Sequence, residues 1–122
     1  MLRQYRLSLE RWILELPAGT REEGEDWLNC ARRELREETG YQAETWRSLG
    51  EVWPAPGLTN EIMALYLAGN LTEAPLLRDP DEEIEVKPYP IGELVTMAID
   101  GCLQDAKSVV GILRAAKVMD YY

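Results

Sequence analysis

Histidine is absent from this 122-residue sequence, and cysteine occurs only twice, at Cys30 and Cys102. Without histidine, the usual general base and the usual zinc ligand are both missing, so acid–base and metal chemistry must fall to carboxylates. Two cysteines so far apart are too few for a disulfide framework or a metal knuckle, and we expect both thiols to be reduced.

Basic residues are also scarce, because 13 Lys and Arg stand against 22 Asp and Glu, a net charge of −9. That charge opposes a nucleic-acid partner bound through its phosphate backbone, but it is compatible with a small phosphorylated ligand. No apolar run is long enough to cross a membrane, and no signal-peptide core follows Met1. We therefore expect a cytoplasmic protein that binds neither nucleic acid nor membranes.

Hydrophobic residues make up 46% of the chain and charged residues 29%, a balance that fills one core and predicts a single domain over residues 1–122. Polarity and turn signals predict a polar surface loop over residues 70–83. They predict strands over 8–16, 41–53, 61–68 and 84–89, and helices over 25–39, 91–99 and 104–117. This order of elements indicates an α+β layered domain.

The helix predicted over residues 25–39 carries three carboxylates on one face. Glu34, Glu37 and Glu38 are three and four positions apart, and like charges at that spacing destabilise a helix unless a cation lies beside them. An oxygen-only ligand set favours Mg²⁺ or Mn²⁺ over Zn²⁺. Taken alone, these glutamates also fit an ordinary solvated face with Arg33 and Arg36 as salt-bridge partners.

The complete spacing around this helix resembles the Nudix hydrolase signature. Every fixed position of that pattern is met over the 23 residues 19–41. The matched positions are Gly19, Glu25, Arg33, Glu34, Leu35, Glu37, Glu38, Gly40 and Tyr41. The resemblance implies a Nudix-type α/β/α sandwich around a mixed sheet. It also implies hydrolysis, dependent on Mg²⁺ or Mn²⁺, of a nucleoside diphosphate linked to another moiety.

The resemblance further assigns metal ligands within this segment. Glu34 and Glu38 correspond to the family's main carboxylate ligands, and Glu37 corresponds to a further ligand or catalytic group. The backbone carbonyl of Ala18 corresponds to an additional oxygen on the cation. All four positions are therefore expected at the metal site.

Two other roles follow from the same resemblance. Glu25 and Arg33 correspond to an internal ion pair that orients the loop and helix and so supports the metal ligands. The general base corresponds to a carboxylate on the loop before a late strand, where Glu82 aligns best and Glu83 is the near alternative. A charged loop of this kind is also typical of solvated surface.

Segments outside the signature resemble the ADP-ribose pyrophosphatase branch of the family. They are Arg3-Gln-Tyr-Arg6, Pro17-Ala18-Gly19 and Pro56-Gly57-Leu58-Thr59-Asn60-Glu61. Arg6 corresponds to an arginine that contacts the diphosphate or terminal ribose, although a solvated arginine at a strand end is the alternative. Pro56 and Gly57 are expected at the substrate. The implied reaction converts ADP-ribose to AMP and ribose 5-phosphate.

The amino terminus departs from the family pattern, since members have one or two strands before the Arg-Gln-Tyr-Arg stretch. We therefore expect an N-terminally truncated fold whose exposed sheet edge is covered in a homodimer. Three interpretations stay open: a diphosphatase, a module that binds a nucleotide sugar without turnover, and a truncated reading frame with impaired activity. For the diphosphatase, GDP-mannose or another nucleotide sugar is the alternative substrate.

Overall fold

A computed structural model describes residues 1–76 and 84–121 of the chain. The described residues form strands β1 (Leu2–Arg6), β2 (Arg11–Glu15), β3 (Tyr41–Val52), β4 (Met63–Glu73) and β5 (Ile84–Val86). They also form helices α1 (Trp27–Thr39), α2 (Ile91–Asp100) and α3 (Ala106–Val118), and a 3-10 turn at Leu7–Leu9. The α+β class expected from the sequence is confirmed.

The amino-terminal sheet has the strand order β2-β1-β5, and β1 pairs antiparallel with both neighbours. Leu2 lies opposite Glu15 on β2 and opposite Val86 on β5. The strand predicted over residues 8–16 is shorter than expected, because the 3-10 turn ends at Glu10 with a left-handed φ of 52°. That turn reverses the chain, so β2 begins only at Arg11.

A second sheet in the described residues consists of β3 and β4. β4 ends at Glu73, so the first residues of the predicted polar loop belong to a strand instead. Strand formation depends on pairing with a neighbour more than on apolar composition, and β3 is long enough to supply that neighbour. The remainder of the predicted loop overlaps residues 77–83, which lie outside the described ranges.

The chain comprises two compact units, Met1–Trp46 with Ala68–Lys87 and Arg47–Leu67 with Pro88–Tyr122. The first contains β1, β2, α1 and β5. The second contains α2 and α3, and its buried core includes Ile112 and Ala116 on α3. Within this second unit Arg114 Nη1 donates to the carbonyl of Leu49 at 2.9 Å. The single domain over residues 1–122 stays a prediction.

The two cysteines and the lengths of the helices agree with the composition of the chain. Cys30 and Cys102 are both free thiols, as the sequence predicts, and Cys30 is buried. No helix in residues 1–76 and 84–121 is long and apolar enough to cross a membrane.

Helix α1 is bounded by two capping residues, Asp26 and Gly40. The side chain of Asp26 accepts a hydrogen bond from the amide of Asn29 at 2.7 Å, so the helix begins at Trp27, two residues later than predicted. Gly40 ends it with φ 74°, and its amide donates to the carbonyl of Arg36. A left-handed φ favours glycine, which explains why the helix stops there.

Helix α3 is capped by the carboxylate of Asp105. This carboxylate accepts hydrogen bonds from the amide and hydroxyl of Ser108, at 3.2 and 2.5 Å, and from Lys107 Nζ at 2.8 Å. Burial by itself would raise the pKa of Asp105, but the hydrogen bonds from Lys107 and Ser108 outweigh burial and lower the pKa. The ionised cap therefore stabilises the folded state.

We predict that Asp105→Ala lowers the free energy of unfolding at neutral pH by about 1 kcal/mol, the usual contribution of an N-cap side chain. Asp105→Asn keeps a cap oxygen and loses less. Because the folded pKa lies below the ordinary value of 3.8, the charge stabilises the fold above that pH and ceases to do so as the pH falls further. Urea denaturation over a pH series should show a flatter acid limb for Asp105→Asn, whereas parallel limbs would contradict this assignment.

Candidate active site

The centre of the site is the side chain of Arg33 on α1. Its Nε and Nη2 donate to the two carboxylate oxygens of Glu25, at 2.8 and 2.9 Å, in a bidentate pair. Nη2 also donates to the carbonyl of Thr20 at 3.1 Å. Since Thr20 and Glu25 lie in the segment between β2 and α1, these contacts join that loop to the helix.

The same guanidinium holds two of the helix carboxylates. Arg33 Nη1 donates to Glu34 Oε1 at 2.9 Å and to Glu37 Oε2 at 3.1 Å. Positive charge placed between like charges offsets their repulsion on one helix face. Arg33 therefore both orders the loop and holds together the carboxylates that the sequence predicts as metal ligands.

Glu25 and Glu34 respond differently to their shared partner. Hydrogen bonding from Arg33 lowers the pKa of Glu25 to about 2, with help from the amide of Glu22. Burial raises the pKa of Glu34, and the opposing effect of Arg33 does not cancel it. The pKa of Arg33 itself is raised by its hydrogen bond to Glu25. Glu25 is thus the firmly ionised partner, whereas the charge of Glu34 is less fully compensated.

Gly19 is required by the packing of Glu34. A Cβ atom placed on Gly19 would overlap the carboxyl carbon of Glu34, so any side chain there would displace this glutamate. Space rather than backbone conformation selects glycine here, because Gly19 is not among the residues with positive φ. The glycine of the loop therefore forms a cradle for one of the predicted metal ligands.

The side chain of Glu38 is held by the first residues of the segment between β2 and α1. Its Oε2 accepts a hydrogen bond from the amide of Ala18 at 2.8 Å. The structure thus brings Ala18 and Glu38 together, as the sequence predicts. The group of Ala18 that contacts Glu38 is its amide, whereas the predicted metal ligand is its carbonyl. The predicted role of the Ala18 carbonyl as a metal ligand stays a prediction.

The carboxylates have protein partners and do not surround a common point. Within the described part of the chain, no group of three or more Asp, Glu or Cys side chains is close enough to hold a metal ion. Arg33 and the Ala18 amide take up several carboxylate oxygens instead. The chemistry of the donor set still fits a hard divalent cation, because the available ligands are oxygens on one helix face beside the glycine cradle.

Arg6, predicted as a substrate contact, is held by a buried carboxylate. Its Nε and Nη2 donate to Glu15 at 2.7 and 2.8 Å, and Glu15 is only 2% exposed. The sequence analysis did not identify Glu15. The pair depends on the register of β1 against β2, in which Glu15 lies opposite Leu2 and on the same face of the sheet as Arg6. The substrate role of Arg6 stays a prediction.

Four predicted positions remain, Pro56, Gly57, Glu82 and Glu83. Pro56 and Gly57 are exposed residues of a turn in the second unit, in which the amides of Leu58 and Thr59 both donate to the carbonyl of Ala55 at 3.0 Å. Glu82 and Glu83 lie outside the described residues. The roles of these four positions at a substrate or as a general base stay predictions.

Comparison with known protein families identifies the family of this chain. The NUDIX domain family matches residues 1–109, and this chain belongs to that family. The matched region contains α1, the Arg33 network and Gly19. The resemblance noted from the spacing of the glutamates is thereby confirmed.

Three curated relatives indicate the range of proteins that this chain is similar to. It is 37% identical over 114 residues to a methanol dehydrogenase activator of Bacillus methanolicus, covering 92% of this chain and 62% of that protein. It is 36% identical to an ADP-ribose pyrophosphatase of Bacillus subtilis, with the same coverage of 92% and 62%. A GDP-mannose pyrophosphatase of Yersinia enterocolitica is 35% identical over 92 residues, covering 73% of this chain and 48% of the relative.

A solved structure supports the fold. The crystal structure of an ADP compounds hydrolase superposes with a TM-score of 0.87 at 24% sequence identity, covering 98% of this chain and 64% of the other. This likeness confirms the Nudix-type fold expected from the sequence. The chain spans 62% of the length of the first two relatives.

We predict that Glu25→Gln and Arg33→Lys each lower the free energy of unfolding, because each breaks the bidentate pair between loop and helix. The double variant should lose less than the sum of the two single losses, since both changes remove the same interaction. Chemical denaturation of the four proteins measures this coupling.

Glu23→Gln is the matched control, because Glu23 is an exposed carboxylate of the same loop. Its stability should equal that of the unsubstituted chain. Strictly additive losses for Glu25 and Arg33 would contradict the role assigned to their ion pair.

Proposed function

We propose that this chain hydrolyses the diphosphate linkage of a nucleoside diphosphate joined to another moiety, with Mg²⁺ or Mn²⁺ as cofactor. The observation that carries the proposal is the Arg33 network, which holds Glu25, Glu34 and Glu37 together. Membership of the NUDIX domain family supports it. A solvated helix face would not require one arginine to bind both the loop and two helix carboxylates.

The cation would be held by Glu34, Glu37, Glu38 and the backbone carbonyl of Ala18. When bound, it supplies charge neutralisation for the diphosphate and lowers the pKa of a water molecule. Arg33 reduces repulsion between Glu34 and Glu37 before a cation arrives. Glu25 acts indirectly, because it fixes the orientation of Arg33.

Proton removal from the attacking water is assigned to a loop carboxylate, Glu82 or Glu83, with Glu37 as the candidate on the helix. The absence of histidine from the sequence supports a carboxylate in this role. Arg6 is assigned to the diphosphate or the terminal ribose. Its side chain is 44% exposed despite the pair with Glu15.

ADP-ribose is the proposed substrate, and AMP and ribose 5-phosphate are the proposed products. The motifs that include Arg6, Pro56 and Gly57 support this choice, as does the relative described as an ADP-ribose pyrophosphatase. GDP-mannose is the second candidate, because a relative described as a GDP-mannose pyrophosphatase is also similar to this chain. Both substrates have the same diphosphate linkage and differ in the groups on either side of it.

We also propose that the chain acts as a homodimer. In the described sheet order β2 is a terminal strand, with β1 as its neighbour. Leu9 and Trp12 beside this edge are 52% and 38% exposed. A terminal strand with exposed apolar side chains beside it favours pairing with another chain, so this edge is the proposed dimer contact.

The test is a panel of ADP-ribose, GDP-mannose and other nucleotide sugars, with Mg²⁺, Mn²⁺ or a chelator, scored for nucleoside monophosphate. Protein of measured oligomeric state should release AMP from ADP-ribose only with a cation. Glu38→Gln should lower kcat/KM by at least about 100-fold, the upper end of the loss caused by removing an outer partner of a metal ligand.

Glu44→Gln is the matched control, because Glu44 is an exposed carboxylate on β3 outside the predicted ligand set. It should retain full activity. No turnover of any diphosphate substrate by folded protein would contradict the enzymatic proposal. Saturable binding without turnover would identify a binding module, and a poorly folded chain that neither binds nor hydrolyses would indicate an impaired reading frame.

A further inference from the structure

A cavity of about 270 Å³ lies beside α1 and the beginning of β3, within the first compact unit. Its lining residues are Arg32, Arg33, Arg36, Gln42, Ala43 and Trp46. Half of these residues are arginines, although the whole chain has a net charge of −9. The cavity is therefore a local concentration of positive charge on an acidic protein.

The three arginines are not equally available to a ligand. Arg33 is committed to its carboxylate partners. Arg36 donates from Nε to the carbonyl of Ala74 at 3.0 Å, and its terminal nitrogens have no partner among the described residues. Arg32 is exposed and makes no hydrogen bond or ion pair in the described ranges. Two guanidinium groups can therefore supply donors.

These two arginines lie on a different face of α1 from the predicted metal ligands. Successive residues of an α-helix are rotated by about 100°. Arg32 and Arg36 are then separated from Glu34 and Glu38 by roughly 120° to 160° around the axis, and from Glu37 by roughly 100° to 140°. A ligand contacted by Arg32 and Arg36 would thus lie beside the candidate metal site, with Arg33 between the two.

The remaining lining residues are suited to a small polar ligand. Gln42 offers an amide group, and Trp46 Nε1 donates to the carbonyl of Ala43 at 3.2 Å, which fixes the orientation of the indole. A volume near 270 Å³ is close to the lower limit of small-molecule pockets, about 300 Å³. The space therefore fits a small anion better than a nucleotide sugar.

We propose that this cavity is a binding site for a phosphate group, either inorganic phosphate or a small phosphomonoester, contacted by Arg32 and Arg36. Guanidinium groups present paired donors that match phosphate oxygens. The hydrogen bond to Ala74 holds the Arg36 side chain in place before binding, so less conformational freedom is lost. Phosphate binding at this site does not require hydrolysis at the candidate metal site.

The test is an NMR titration of the full chain, in the presence of a chelator, with inorganic phosphate and with methyl phosphate. Sodium chloride at matched ionic strength is the reference. The amide of Ala43 and the indole N–H of Trp46 should shift saturably with phosphate and not with chloride. The tighter of the two phosphate probes identifies the natural class of ligand.

Arg32→Gln should weaken binding about tenfold, the size expected for one hydrogen bond to a charged group. This variant should fold normally, because Arg32 has no partner among the described residues. Arg11→Gln, which removes an exposed arginine from β2, is the matched control and should bind as the unsubstituted chain does.

Glu38→Gln should also keep its phosphate affinity, which separates this cavity from the proposed catalytic function. The proposal would be overturned if chloride reproduced the shifts, or if Arg32→Gln bound phosphate as tightly as the Arg11→Gln control. Absence of saturable shifts at Ala43 and Trp46 in the folded chain would overturn it as well.

Discussion

The shared guanidinium of Arg33 is the interaction on which the candidate site depends. The segment between β2 and α1 has no strand or helix of its own in the described structure, so its position must come from side-chain contacts. Arg33 supplies them by binding Glu25 and the carbonyl of Thr20. Lysine could not replace it, because an ammonium group lacks the planar fork that satisfies both oxygens of one carboxylate.

Because Glu25 and Glu34 share Arg33, their negative charges are compensated to different extents. Glu25 receives two short hydrogen bonds from Arg33, and its negative charge is well compensated. Glu34 shares the same arginine but packs against the cradle of Gly19, where burial acts against its charge. The loop carboxylate therefore serves the structure, whereas burial raises the pKa of the helix carboxylate despite its hydrogen bond from Arg33.

Local signals in the sequence indicated α1, but they did not indicate the strand pairings. Asp26 and Gly40 cap the helix through their immediate neighbours, and the pair of Glu25 with Arg33 was expected from the resemblance to the Nudix signature. The extension of β4 to Glu73 could not be predicted in this way, since it depends on a partner strand distant in sequence. The pair between Arg6 and Glu15 was missed for the same reason, because it requires the register of β1 against β2.

The apolar, acidic and basic residues of α1 lie at different angles around the helix axis. Leu35 belongs to the apolar side, Glu34 and Glu38 lie on the acidic side, and Arg32 and Arg36 lie on the basic side. Arg33 sits between the basic and acidic sides, which explains why it both lines the cavity and binds the carboxylates. Because Arg32 and Arg36 lie away from Glu34 and Glu38, a phosphate held by these two arginines need not approach those two glutamates. An acidic chain would in this way bind an anion on the same helix that carries the proposed ligands for a cation.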